Sequence, residues 1–281
     1  MVCLACVDRL SRTSEEGCWM GRIDSYLICA TPRTGSTLLC GLMASTKFAG
    51  QPESYFRQPD EQLWAERWDI VRSSHRIFEY SEFIRAALAA GRSENGVFAA
   101  RIMWGTLDYL FDRLGTVYPA PAGHDIELLN QALGHTGFIY LQRDDVLAQA
   151  VSWHRAEQSN VWHQTDREKL KQPVIEPRFD FDLIHKLVQV IEDHNSSWRA
   201  WFASAGIQPH MVRYEDLDAD PVKVVCEILD FLGLKLPPGR QISTHNRRLA
   251  DELNAEWIDR YRAGIKERID TSSESGHDKY A

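Results

Sequence analysis

Residues 25–44 read Ser25-Tyr26-Leu27-Ile28-Cys29-Ala30-Thr31-Pro32-Arg33-Thr34-Gly35-Ser36-Thr37-Leu38-Leu39-Cys40-Gly41-Leu42-Met43-Ala44. The first six residues form a nearly continuous apolar run bounded by Asp24 and by a Pro/Gly-containing turn. Such a run fits a parallel strand buried on both faces. The stretch from Ser36 to Ala44 predicts a helix. The order is therefore strand, glycine-containing turn, helix.

The same alternation continues outward. Residues 60–92 carry helical periodicity through Trp64, Trp68, Ile77, Phe78, Phe83, Ile84 and Leu88. Val97–Met103 is expected as a second strand, with a helix over Leu107–Leu114. Tyr118–Gly123 is rich in Pro and Gly and predicts a loop. Phe138–Gln142 is the next strand, and Arg143-Asp144-Asp145 opens a helix beyond it, since acidic residues suit a helix N-terminus. Residues 164–180 are polar, contain Pro173 and Pro177, and predict a loop. A long helix over Phe181–Ser204 is expected, with Leu183, Leu187, Ile191, Trp198 and Trp201 among its apolar positions. A short strand at His210–Tyr214 and a helix over Pro221–Leu232, closed by Gly233, follow. The polar stretch 270–281 is expected to be disordered. Strands alternating with helices predict an α/β fold, a parallel β-sheet flanked by helices. With no repeat and no evident linker, the expectation is one domain over 23–265, an N-terminal extension 1–22 and a polar tail 266–281.

Composition excludes several classes. The chain has 281 residues, 44% of them hydrophobic and 26% charged, an ordinary globular balance. Its formal charge of −8 argues against non-specific binding to nucleic acid or an anionic membrane. No stretch approaches the ~20 apolar residues that span a bilayer, and no secretory signal is read at the N-terminus. The six cysteines are too few for a disulfide scaffold and fit a reduced, cytoplasmic compartment. Cys3 and Cys6 form a lone C-x-x-C with no second ligand pair, which reads as thiols on an arm more readily than as a metal site.

The turn after the first strand carries the sharpest chemistry. A helix N-terminus offers unpaired N–H groups and the positive end of a dipole, both favouring anions. Gly35 lets backbone approach a phosphate, Ser36 and Thr37 donate from hydroxyls, and Arg33 adds a fixed charge. A plain strand-to-helix turn is the structural alternative. The turn is not a Walker A loop, because no Lys precedes Ser36-Thr37. Arg143 follows a second strand, Phe138–Gln142, with Ser152 nine residues further on. In open α/β sheets ligands bind at the carboxyl ends of strands. Cations at two such ends suit a ligand with two separated phosphates.

With these residues the chain resembles the PAPS-dependent sulfotransferases (PAPS is 3′-phosphoadenosine-5′-phosphosulfate), and among them the bacterial trehalose 2-sulfotransferase family. Arg33 to Leu39 resemble that family's R-S-G-S-T-L-L loop, and Gly50 to Phe56 its G-x-P-x-E-aromatic-Phe segment. Arg101-Ile102-Met103-Trp104 matches a basic residue before aliphatic-Met-Trp. Arg143, Gln149 to Ser152, Arg155-Ala156, Gln158 and Trp162 form a further block. Trp198 to Phe202, Tyr214 to Leu217, Glu256-Trp257 and Tyr261-Arg262 complete a shared order over residues 25–262.

The resemblance implies a sulfotransferase fold, and a sulfuryl transfer from PAPS to a hydroxyl of a carbohydrate or glycoconjugate: a trehalose-like sugar, a glycolipid or a lipopolysaccharide sugar. It implies that Arg33, Thr34, Gly35, Ser36 and Thr37 bind the 5′-phosphosulfate and that Arg143 and Ser152 bind the 3′-phosphate. It also implies a homodimer. No metal is demanded. The family's general base is a Glu directly before the aromatic pair. Here that slot holds Ser54, and the carboxylate stands one place earlier at Glu53. Glu53 is the expected base, with His154 and Glu61 in reserve. Trp64, Trp68, Trp153 and Trp162 are candidates for stacking on sugar, and Trp104, Trp198 and Trp201 for the core. A nucleotide-binding scaffold without turnover and a P-loop-like kinase are the competing readings.

Overall fold

A computed structural model describes residues 23–70, 78–119, 123–159, 177–243 and 252–277. The extension 1–22 with Cys3 and Cys6, Trp162 and most of the loop predicted at 164–180 lie outside these residues. The chain groups into two compact units, one within residues 1–142 and 196–245, the other within 143–195 and 246–281.

The first unit is built on four parallel strands, β1 (Ser25–Ala30), β2 (Phe98–Met103), β3 (Thr136–Gln142) and β4 (His210–Arg213), in the order β2-β1-β3-β4. All six residues of β1 are buried. Successive side chains of a strand point to opposite faces, and here each face meets its own core. Leu27 and Cys29 join one core with Phe98, Ala100, Ile102 and Tyr140. Tyr26, Ile28 and Ala30 join the other with Ala99, Ile139, Leu141 and Val212. A strand packed on both sides has no polar face, hence the continuous apolar run.

Helices cover both faces. The first core is closed by α2 (Gln58–Arg67), α3 (Tyr80–Gly91), α4 (Leu107–Gly115), α5 (Asp125–Leu133) and the C-terminal end of α7 (Phe181–Ser204). The second is closed by α1 (Ser36–Ser45), α8 (Tyr214–Ala219) and α9 (Pro221–Phe231). The fold class expected from the alternation is therefore the one observed. The helical periodicity over 60–92 resolves into α2 and α3, with α2 ending at Trp68–Ile70, where Asp69 takes φ +52°. Helix α5 has no counterpart in the sequence reading.

The second unit packs α6 (Val146–Ser159) and the first part of α7 with α10 (Glu252–His277) around Ala150, Val151, Ile184, Ile191, Trp257 and Tyr261. Asp145 caps α6 as its acidic start suggested, its Oδ1 accepting from the Ala148 N–H at 2.8 Å. In α7 the buried position is Ile184, seven residues before Ile191, while Leu183 is 48% exposed. Helix α10 corrects the disorder expected of the tail over 270–277, since its backbone stays helical to His277, while 278–281 lie outside the described residues. Near its end, Arg268 pairs with Asp182 at 2.9 Å and lies 3.8 Å from the Phe181 ring centroid.

Candidate anion site at the end of the first strand

The strand order reverses direction at β1, the place where open α/β sheets bind ligands. The turn leaving β1 is tightly folded. Thr34 is fully buried and its hydroxyl donates to the Thr31 carbonyl at 2.9 Å, so this side chain shapes the turn. Arg33 takes φ +68° and Gly35 φ +85°. Gly35 is the N-cap of α1 with no side-chain cap, and the first turn holds no acidic residue. The leading N–H groups of α1 therefore present an anion site of backbone origin. Gly35 has a further reason to lack a side chain: a Cβ there would stand 2.5 Å from Cδ2 of Tyr214.

Arg101 completes the arrangement. Along β2, Phe98, Ala100 and Ile102 face the first core, while Ala99 and Met103 face the second, where α1 lies. Strand alternation puts Arg101 on the α1 face. Its Nη1 donates to Thr37 Oγ1 at 2.8 Å and, at a long 3.5 Å, to Ser36 Oγ. Its Nε donates to Ser54 Oγ at 2.9 Å.

Ser54 and Glu53 sit on a segment locked to β2. Glu53 bridges Ala100 in parallel register, and its carbonyl accepts from the Arg101 N–H at 2.9 Å. The following aromatic pair anchors it. Tyr55 packs 5.1 Å from Trp64 and 6.0 Å from Phe98, and Phe56 is fully buried against Phe83 and Phe98. The Glu53 carboxyl is accessible, yet partial burial raises its pKa. Arg101 and then Arg67 oppose that rise. The first unit thus gathers Ser36, Thr37, Glu53, Ser54 and Arg101 about the N-terminus of α1.

The reserve bases are engaged elsewhere. Glu61 is buried, accepting from Tyr80 at 3.0 Å and Tyr109 at 2.8 Å, and burial raises its pKa. His154 is buried in the second unit. The Arg178 N–H donates to Gln158 Oε1 at 2.7 Å, which fixes the Gln158 amide with its NH₂ toward His154 Nε2, 2.6 Å away. The same ring nitrogen lies 3.2 Å from the Arg178 carbonyl, so His154 Nε2 is held between Gln158 and that carbonyl. Arg143 and Ser152 belong to the second unit, Arg143 just before α6 and Ser152 within it. Both are part-exposed and engaged in interactions. Trp64 and Trp68 stack on each other at 5.2 Å beside Tyr55, and Trp153 donates to Glu157 at 2.8 Å. Trp104, Trp198 and Trp201 are core side chains as expected, with Trp198 donating to the Ala30 carbonyl at 3.1 Å. The cluster's cation, Arg101, received no role from sequence alone; the alternation of Phe98–Met103 around it was the available signal. Among the described residues no three His, Cys, Asp or Glu side chains are grouped to hold a metal, and no helix is long and apolar enough to cross a membrane.

The family model described as Stf0 sulphotransferase matches residues 25–264. The trehalose 2-sulfotransferase of Mycobacterium tuberculosis (strain ATCC 35801 / TMC 107 / Erdman) is 30% identical over 263 residues, covering 85% of this chain and 94% of its own. That of Mycolicibacterium smegmatis (strain ATCC 700084 / mc(2)155) is 28% identical over 260 residues, with the same shares, 85% and 94%. Among solved structures, a sulfotransferase from Alicyclobacillus acidocaldarius aligns with a TM-score of 0.42 at 14% identity, over 88% of this chain and 96% of its own.

Proposed function

Because the chain belongs to the Stf0 sulphotransferase family, we propose that it moves a sulfuryl group from PAPS to a hydroxyl of a carbohydrate. The observation that carries this is the uncapped, acid-free N-terminus of α1 combined with Ser36, Thr37 and Arg101. These groups fit a phosphosulfate: backbone N–H groups, two hydroxyls and guanidinium charge converge without a competing carboxylate in the turn.

On this reading Arg33 and the turn Thr34-Gly35-Ser36-Thr37 hold the 5′-phosphosulfate, and Arg143 and Ser152 hold the 3′-phosphate. Glu53 accepts the proton of the attacking sugar hydroxyl. Burial raises its pKa, which makes it a stronger base than an ordinary glutamate. The main contributions of the protein are alignment and stabilisation of charge developing on the leaving phosphate. No step requires a bound metal. The acceptor class is a trehalose-like disaccharide, as the names of both relatives suggest, with glycolipid and lipopolysaccharide sugars as wider members of that class. The reading takes residues 23–265 as one catalytic domain acting as a homodimer. It places the enzyme in the cytoplasm, where thiols such as those of Cys29 and Cys40 stay reduced.

Calorimetry tests the donor site. The protein is expected to bind adenosine 3′,5′-bisphosphate without magnesium, and Arg33→Ala and Arg143→Ala each to weaken binding about tenfold or more. A nucleoside triphosphate with magnesium binding in its place would favour a kinase.

A further inference from the structure

Arg67 is the last residue of α2, exposed, and its guanidinium carbon lies 4.7 Å from the Trp64 ring centroid. A cation over an indole face is attracted to it, so the contact holds a long side chain that an exposed helix end would otherwise leave loose. Trp64 is itself packed by Trp68 at 5.2 Å and by Tyr55 at 5.1 Å, and Tyr55 stands two places after Glu53. Three partners therefore surround the Trp64 ring. A sugar stacking on it, the role the sequence offers Trp64, would displace the guanidinium. What α2 presents beside Glu53 is instead a held cation. Burial raises the Glu53 pKa, and Arg101 then Arg67 oppose that rise, so Arg67 stands close enough to act on the carboxyl. Among the described residues, however, no carboxylate forms an ion pair with Arg67 and no side chain accepts a hydrogen bond from it. Its planar fork of donors matches the paired oxygens of a phosphate or carboxylate better than it matches a single hydroxyl.

We propose that Arg67 is a specificity-determining residue that binds an anionic group, a phosphate or a carboxylate, on the acceptor sugar whose hydroxyl faces Glu53. The inference rests on the sulfotransferase reading above and narrows its acceptor: a sugar bearing an anion is preferred to its neutral parent. Charge arithmetic gives the reason. An anion brought close to the Glu53 carboxylate is repelled by it, and a guanidinium between or beside the two offsets that repulsion. With Arg67 in place the anionic acceptor gains a charge-assisted fork. With Arg67 replaced by a neutral side chain, the same acceptor meets Glu53 uncompensated and binds no better than the neutral sugar.

Two matched pairs of acceptors test this with PAPS as donor: trehalose against trehalose 6-phosphate, and methyl glucoside against methyl glucuronide. The first pair reads phosphate and the second carboxylate. In the wild-type protein kcat/KM is expected to favour the anionic member of at least one pair about tenfold, with the gain in KM. In Arg67→Gln that ratio falls to about one or below. Arg67→Lys keeps part of it, since an ammonium retains the charge without the fork. Each ratio is taken within one protein, so a general loss of folded enzyme or of donor binding cancels. Added salt narrows the wild-type ratio by screening an exposed pair, which keeps the test decisive should Arg67→Gln fail to fold. Neutral members used as well as anionic ones by the wild type overturn the proposal. So does a preference that survives in Arg67→Gln, or one indifferent to salt. Those outcomes leave transfer itself intact, whereas absence of transfer to every acceptor by the folded wild-type protein would sink the sulfotransferase reading, and this inference with it.

Discussion

Gly35 carries φ +85°, and a Cβ on it would press into the Tyr214 ring. An L-residue in that conformation costs about 1–2 kcal/mol before the ring is displaced. Gly35→Ala is therefore expected to lower the thermal midpoint and weaken bisphosphate binding together. Gly115→Ala, where a Cβ meets nothing within 4 Å, serves as the neutral control. Glu53 gives a different signature. Burial raises its pKa above the ordinary ~4.3 of a glutamate. A raised folded-state pKa favours the folded protein below the ordinary value, and that contribution is lost as pH rises through the folded pKa. At neutral pH the charged form thus adds no stability. Glu53→Gln should leave the urea midpoint at pH 7 unchanged or higher, while turnover falls about a hundredfold. The wild-type rate rises with pH through the carboxyl's raised pKa, and the variant lacks that limb. An unchanged rate would remove Glu53 as base. Ser36 and Thr37 were legible as hydroxyls at a helix start, and in the structure both accept from Arg101. Thr34 was not, since nothing in the sequence reveals that its hydroxyl turns inward to Thr31.

Trp198 shows how the elements hold the site in place. It is fully buried on α7, and its indole N–H satisfies the carbonyl of Ala30, the last residue of β1 before the turn into α1. Trp198→Phe keeps most of the volume but strands that carbonyl, at a cost of about 1–3 kcal/mol. A urea midpoint lowered with unchanged slope is the expected result; an unmoved midpoint would mean water or relaxation replaces the bond. The elements read correctly from sequence are those with strong local signals. β1 is a two-faced apolar run, α1 follows a glycine turn, and α7 carries long periodicity. Helix α5 escaped because it follows a Pro/Gly-rich stretch. Its N-cap, His124, provides no side-chain capping bond to mark its start. The end of α10 escaped because its apolar pattern fades. The anchors near there, Arg268 on Phe181 and Asp182, are tertiary and leave no local trace.

At the scale of the whole molecule, the charge of −8 describes the sum of the chain and not the anion site, where Arg101 and the α1 N-terminus set the local sign. The family match over 25–264 takes in residues of both compact units, which neither composition nor periodicity had separated. Sequence could not show that division because the second unit is made of two stretches far apart in the chain, 143–195 and 246–281. The motifs drew attention to the turn after β1, whereas Arg101, the cation bonded to its hydroxyls, became visible only when β2 was laid beside β1. The central claim is that this chain transfers a sulfuryl group to a sugar. The most direct measurement incubates the protein with sulfur-labelled PAPS and trehalose, without added metal, and follows label and mass of the disaccharide. The account predicts a labelled, singly sulfated disaccharide formed in step with adenosine 3′,5′-bisphosphate, and lost in Arg33→Ala. Release of bisphosphate with no label on trehalose or on any other sugar offered would contradict it.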